Sequence, residues 1–210
     1  TSNNNTYHGN DSISAIGDIY NNTYFSIDFV NITDYTIVTL YVNNRYYGNG
    51  SKDSPFNSIS DALLYLKNLN LANRSANYKG IIHISEGTYG GFNQNLRLYI
   101  TDLNVEINGV LNRTVLDGSN SHWFFEISKD SQVKLTNITF TNGLLRKADY
   151  GLIMNSGQLS VTNCTFLNSK VVDTSAFIYN TGLLKLSNNR MNSSNVNDYI
   201  YNKGRMENDL

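Results

Sequence analysis

Between Val133 and Ser194 the apolar and polar positions recur as a unit. Leu135-Thr136-Asn137-Ile138-Thr139-Phe140 returns as Val161-Thr162-Asn163-Cys164-Thr165-Phe166, then more loosely as Leu186-Ser187-Asn188-Asn189-Arg190-Met191, at steps of 26 and 25. A second phrase runs beside it. Ile153-Met154-Asn155-Ser156-Gly157, Ile178-Tyr179-Asn180-Thr181-Gly182 and Ile200-Tyr201-Asn202-Lys203-Gly204 follow at steps of 25 and 22. Inside each unit, runs such as Leu159-Ser160-Val161 and Leu184-Lys185-Leu186 alternate apolar and polar, which is the period of a half-buried strand. A fixed repeat of about 25 residues made of short strands predicts a solenoid whose coils stack on one another. The fold class expected is all-β, a right-handed parallel β-helix, the hand following the crossover rule for parallel strands. Leu135, Val161 and Leu186 should stack inside, as should Phe140, Phe166 and Met191. The residues between them should face out: Lys134, Thr136, Ser160, Thr162, Lys185 and Ser187, with Thr139, Thr165 and Arg190 on the next strand.

The repeated asparagines suit the corners of such a coil, because Asn tolerates the left-handed backbone of a sharp turn. Stacked in successive coils, Asn amides also bond to one another. Two inward ladders are expected on this reading, Asn137–Asn163–Asn188 and Asn155–Asn180–Asn202. The shorter step at the last unit requires a shorter turn there.

Upstream the pattern loosens. Residues 1–37 form an Asn-rich N-terminal segment with one or two strands, the clearest alternation being Phe25, Ile27 and Phe29. Residues 38–210 are expected to form the β-helix, with the chain cut short at its C-terminal end. Tyr35 to Val42 is β-rich, and Asn43 to Pro55 has turn chemistry. Ser58 to about Leu69 predicts a helix, with Ile59, Ala62, Leu63, Leu66 and Leu69 on one face and Ser58 with Asp61 as the capping pair. One amphipathic helix ahead of a strand solenoid predicts an N-terminal cap over the open end of the core. Residues 81–210 divide into about five coils, each rising ~4.8 Å.

Composition narrows the function. Net charge is −1 with 16 basic and 17 acidic residues, and no basic block exists. That pattern argues against nucleic acid as a partner. No apolar run reaches the ~18 residues of a membrane helix. Cys164 is the sole cysteine, so no internal disulfide forms, and its alignment with Ile138 predicts a buried, inert thiol. Asn-x-Ser/Thr sequons begin at Asn4, Asn10, Asn21, Asn31, Asn49, Asn73, Asn112, Asn137, Asn163 and Asn192. They fit an exterior glycoprotein, and equally a chain simply rich in these residues; the inward ladder would make Asn163 and Asn137 poor acceptors.

Tyr41-Val42-Asn43, Gly48-Asn49-Gly50-Ser51, Ser54-Pro55-Phe56, Ile59 and Asp61-Ala62-Leu63 resemble the opening of pectin-lyase-like β-helix domains. Ile84-Ser85-Glu86-Gly87-Thr88-Tyr89 resembles their first coil. Leu135 to Gly143 and Gly151-Leu152-Ile153-Met154-Asn155 resemble repeats of adhesin-like surface proteins, those of methanogenic archaea in particular. The resemblance covers about residues 40–204. It departs from the pattern at Ala176-Phe177 and Asp198-Tyr199, where the small-residue pair before the Ile-x-Asn phrase is lost. It implies a secreted or wall-associated protein that contacts glycans or other cells.

β-Helix proteins that cleave polysaccharides set the enzymatic alternative, a polysaccharide lyase or glycoside hydrolase. Glycoside hydrolysis needs two carboxylates facing across the scissile bond. The candidates are Asp117, Glu126, Glu106 and Glu86, with His83 and His122 nearby in sequence. Asp117-Gly118 followed by Trp123 faintly resembles a polygalacturonase phrase, but the Asn-Thr-Asp, Asp-Asp, Gly-His-Gly and Arg-Ile-Lys segments that accompany it in those enzymes are missing. The bland alternative makes Asp117-Gly118 a turn and Trp123 a core cover. Gly48-x-Gly50 lacks a Walker lysine and fits a plain turn. Asp53 and Asn49 offer too few oxygens for calcium. His83, in an apolar strand, fits a structural histidine. Tyrosines on strands suit either sheet packing or sugar stacking. No catalytic, cofactor-binding or metal residue is therefore assigned. The expected function is a non-catalytic, extracellular adhesin-like or structural module whose partners are glycans or cell-surface proteins.

Overall fold

A computed structural model describes residues 35–146, 149–171, 175–192 and 199–208, and the statements below concern these. The expected strands around Phe25 to Phe29 lie outside them. The chain enters through β1 (Thr36–Val42) and the helix α1 (Ile59–Ala72). Five coils of three strands follow. They are β2 (Tyr78–Ile84), β3 (Gly87–Tyr89) and β4 (Leu98–Ile100); β5 (Asn104–Asn108), β6 (Thr114–Asp117) and β7 (Phe125–Ile127); β8 (Gln132–Thr136), β9 (Thr139–Thr141) and β10 (Gly151–Asn155); β11 (Gln158–Thr162), β12 (Thr165–Leu167) and β13 (Ala176–Asn180); and β14 (Leu183–Ser187), β15 (Arg190–Asn192) and β16 (Ile200–Asn202). β17 (Arg205–Asn208) opens a sixth.

The strands stack into three sheets. The first runs β1-β2-β5-β8-β11-β14-β17, the second β4-β7-β10-β13-β16 and the third β3-β6-β9-β12-β15. Every strand pair is parallel, which makes the fold a parallel β-helix. One column of the first sheet, Lys79–Asn104–Gln132–Gln158–Leu183–Arg205, follows the chain from coil to coil, and its last step is the shortest. That shortening has a definite place. The stretch from Met191 to Asn202 is three positions shorter than the matching stretch from Phe166 to Asn180, so the loss falls between the third and second sheets.

Apolar columns fill the interior. Leu40, Ile82, Ile107, Leu135, Val161 and Leu186 align in the first sheet. Tyr89, Leu116, Phe140, Phe166 and Met191 align in the third, with Phe140 and Phe166 stacked at 4.9 Å and 15°. Leu98, Phe125, Ile153, Ile178 and Ile200 align in the second. The outward rows Lys134–Ser160–Lys185, Thr136–Thr162–Ser187 and Thr139–Thr165–Arg190 stand in register, as the repeat pattern predicts.

One expected ladder exists and the other does not. Asn155 Nδ2 donates to Asn180 Oδ1, and Asn180 Nδ2 to Asn202 Oδ1, each at 2.6 Å. Asn137, Asn163 and Asn188 form no such chain. They hold the left-handed corners, with φ of 59°, 52° and 52°, and their side chains lie at half-exposed or exposed positions. The residue after each turns inward instead: Ile138 and Cys164 are buried, and Asn189 Oδ1 accepts from the Cys164 amide while its Nδ2 donates to the Val161 carbonyl. A single left-handed residue reverses the side on which its neighbour emerges, so the corner asparagine itself stays out of the core.

The helix begins at Ile59, after Ser58 as its N-cap, and ends at Ala72, three residues beyond the expected Leu69. Ser58 Oγ accepts from the Asp61 amide and bonds the Asp61 carboxylate. Ile59, Ala62, Leu63 and Leu66 are buried on the strand side, with Leu69 half-buried. Gly80 of β2 makes room for Leu66, whose Cδ1 would sit 2.3 Å from any Cβ there. The helix start is anchored from the first coil, since Asn95 Oδ1 accepts from the Ile59 amide and the Gln94 carbonyl from Ser60.

Candidate functional site

The four candidate carboxylates do not converge. Glu106 faces out from β5 in the first sheet, between Lys79 at 2.6 Å and Lys134 at 3.7 Å. The Lys79 hydrogen bond, aided by the Lys134 charge, holds its carboxyl below the usual range against a smaller burial effect. Glu126 faces out from β7 in the second sheet, in the row Tyr99–Glu126–Met154–Tyr179–Tyr201. Asp117 ends β6 in the third sheet; its Oδ1 accepts from the Ser119 amide at 2.8 Å and from Asn142 Nδ2 at 3.0 Å, which is turn chemistry. Glu86 stands at the corner between β2 and β3 and pairs with Arg113. A glycosidase needs two such groups about 5–10 Å apart across one bond, whereas Glu106, Glu126 and Asp117 sit on three different sheets and Glu86 at a corner, paired with Arg113.

His83 is exposed on β2 and stacked on Tyr41 of β1 at 5.3 Å. His122 lies half-buried against Phe92 at 5.8 Å, and burial with the Arg97 charge lowers its pKa. Gly48 and Gly50 sit in a turn, Gly50 at φ 88°, and Asn49 Oδ1 is taken by the Ser51 amide. Among the described residues no group of three or more His, Cys, Asp or Glu is placed to hold a metal, and no helix is long and apolar enough to cross a membrane. Cys164 is fully buried with its Sγ toward the Leu135 and Thr162 carbonyls, and burial pushes the thiol up to about 11. The sequons at Asn49, Asn73, Asn112 and Asn192 are exposed; those at Asn4, Asn10, Asn21 and Asn31 lie outside the described residues.

The feature that residue-by-residue reading missed is a groove on the second sheet. Arg97, Tyr99, Ser121, Trp123, Leu144, Leu145, Arg146 and Tyr150 line about 410 Å³. Trp123 meets Tyr99 edge-on at 5.3 Å and 82°, and Tyr150 edge-on at 6.2 Å and 74°. Tyr150 donates its hydroxyl to the Glu126 carboxylate, and burial together with that bond holds the phenol well above its ordinary value. The Arg97 guanidinium is fixed over the Phe92 ring at 5.1 Å and donates to the Ser121 carbonyl at 3.2 Å. The signal for this groove was the coil period itself, because Arg97, Trp123 and Tyr150 each lie about one repeat beyond the last. Trp123 is thus only partly a core cover.

No protein-family model, no curated protein and no solved structure matches this chain.

Proposed function

We propose that the chain is a non-catalytic, adhesin-like or structural module that works outside the cell, where its faces meet glycans or surface proteins. The observation that carries this reading is the separation of its carboxylates. Glu106, Glu126 and Asp117 stand on three different sheets and each is already engaged, by lysines, by Tyr150 and by a turn amide respectively. A hydrolase needs a facing acid–base pair and a nucleophilic enzyme needs a nucleophile with its base. The first sheet offers a different kind of surface, stacked rows of hydroxyl, amide and lysine side chains at the ~4.8 Å strand spacing. Such rows suit hydrogen bonding to an extended, repetitive partner. The test is prolonged incubation of the protein with pectin, polygalacturonate and other wall polymers, with and without calcium. No product is expected. Turnover that disappears in Asp117→Asn or Glu126→Gln would replace this reading with a lyase or hydrolase.

A further inference from the structure

We infer that the groove of the second sheet binds a sugar unit carrying a negative charge, a carboxylate or a sulfate ester; this deepens the preceding reading and rests on it. Three observations converge. The first is the aromatic wall. Tyr99 is 62% exposed, so its ring offers an apolar surface on which the C–H face of a pyranose packs, with Trp123 and Tyr150 closing the wall behind it. The second is size: about 410 Å³ falls in the range of small-ligand clefts and is ample for one sugar ring and its substituents.

The third observation is charge. Arg97 and Arg146 line the groove, and among the described residues neither has a carboxylate partner. Glu126, the nearby acid, is tied to Tyr150. A cation over these rings would be repelled by the two arginines. Arginine presents a planar fork that matches carboxylate and sulfate oxygens. Arg97 is also held in place before any ligand arrives, by Phe92 on one side and the Ser121 carbonyl on the other. A second groove of about 370 Å³ shares Arg97 and Tyr99 and adds Lys67 from α1. The basic, part-aromatic track therefore runs on past one ring, which suits a chain of sugars rather than a single one.

The protein carries its own reporter, because Trp123 is its single tryptophan. The intact chain would be titrated with short oligomers of galacturonate, of a sulfated galactan and of neutral galactan, while tryptophan emission is followed. A saturable emission change is expected with at least one anionic oligomer, weakened at least tenfold by added salt, and none with the neutral one. Which anionic oligomer responds identifies the carboxylate or the sulfate as the recognised group. Tyr99→Ala and Arg146→Gln, each checked for an unchanged denaturation midpoint, should raise the half-saturating concentration at least tenfold. Lys52→Ala, exposed in the loop ahead of α1, should not. No response to either anionic oligomer, an equal response to the neutral one, or an equal response to a glutamate oligopeptide would overturn the inference. Products assayed in the same tubes separate the two readings: cleavage overturns the non-catalytic function, while silence without cleavage overturns only the groove.

Discussion

Asn155 Nδ2 lies 2.6 Å from Asn180 Oδ1, one coil above it and in register. The same inward column holds Ile100 and Ile127 in the two preceding coils. Asparagine enters where the turn to the first sheet shortens to two residues. Each asparagine then holds its own turn, as Asn155 Oδ1 accepts from the Gly157 amide and Asn180 Oδ1 from Gly182. The longer turn after Ile127 does this with serines instead, Ser131 Oγ donating to the Ile100 carbonyl and bonding Ser128 Oγ. The two-residue turns stack so closely that a Cβ on Gly182 would meet the Gly157 carbonyl oxygen at 2.0 Å.

Asn180→Ala removes an amide that bonds Asn202 and the Gly182 and Arg205 carbonyls and takes from the buried Asn155 amide its Asn180 acceptor. Each unpaired buried group costs about 1–3 kcal/mol, so the urea midpoint should fall clearly at unchanged slope. Asn163 gives the contrast. Asn163→Gly, at φ 52°, should change stability by less than about 0.5 kcal/mol, while Asn163→Ala should cost about 1–2 kcal/mol because alanine resists the left-handed region. Equal losses in Asn180→Ala and Asn163→Gly would contradict the separate roles.

Much of this was legible in the repeat. The period placed Leu135, Val161 and Leu186 in one column and their polar neighbours outside, because alternation and stacking follow from strand geometry alone. The period does not tell an inward amide from a corner asparagine, since both recur at the same step. At two of the three corners the residue after the asparagine separates them: Ile138 and Cys164 are apolar and turn in, whereas Ser156 and Thr181 are polar; Asn189, polar and inward after Asn188, gives no such signal. The groove was hidden for a different reason. Arg97, Trp123 and Tyr150 stand one, two and three positions before the aligned Leu98, Phe125 and Ile153, so they share neither register nor residue type, and repeat reading looks for sameness.

The helix is a cap in the energetic sense. Gly80→Leu would drive a side chain into the space of Leu66, and Leu63→Asp would place a charge at a position now 6% exposed. Both should lower the denaturation midpoint and promote self-association through the uncovered strand edge, measured by light scattering. Ser58→Ala should cost about 1 kcal/mol through the lost cap bond without self-association. A soluble, monomeric Leu63→Asp variant of normal stability would contradict the cap.

Acid should loosen the first sheet. The folded-state pKa of Glu106 is depressed, chiefly by its hydrogen bond to Lys79, so its contribution is present above the ordinary carboxyl value of about 4.3 and is lost as pH falls through the lower folded value. The pair is partly exposed, so the effect is about 1 kcal/mol or less. Glu106→Gln should lower the neutral midpoint by that small amount, match the parent at low pH and so flatten the acid limb of the stability profile. An unchanged acid limb would remove Glu106 from the account.

The separation of the carboxylates on different faces is what the functional reading stands on, and disulfide trapping measures it directly. In a Cys164→Ser background, cysteines replacing Glu106 and Lys134, paired in register across β5 and β8, should close a disulfide under mild oxidation, since adjacent strands stand ~4.8 Å apart, within disulfide reach. Cysteines replacing Glu106 and Glu126, or Asp117 and Glu126, should stay reduced under the same conditions. Rapid bridging of either carboxylate pair would put two acids on one face and contradict the account.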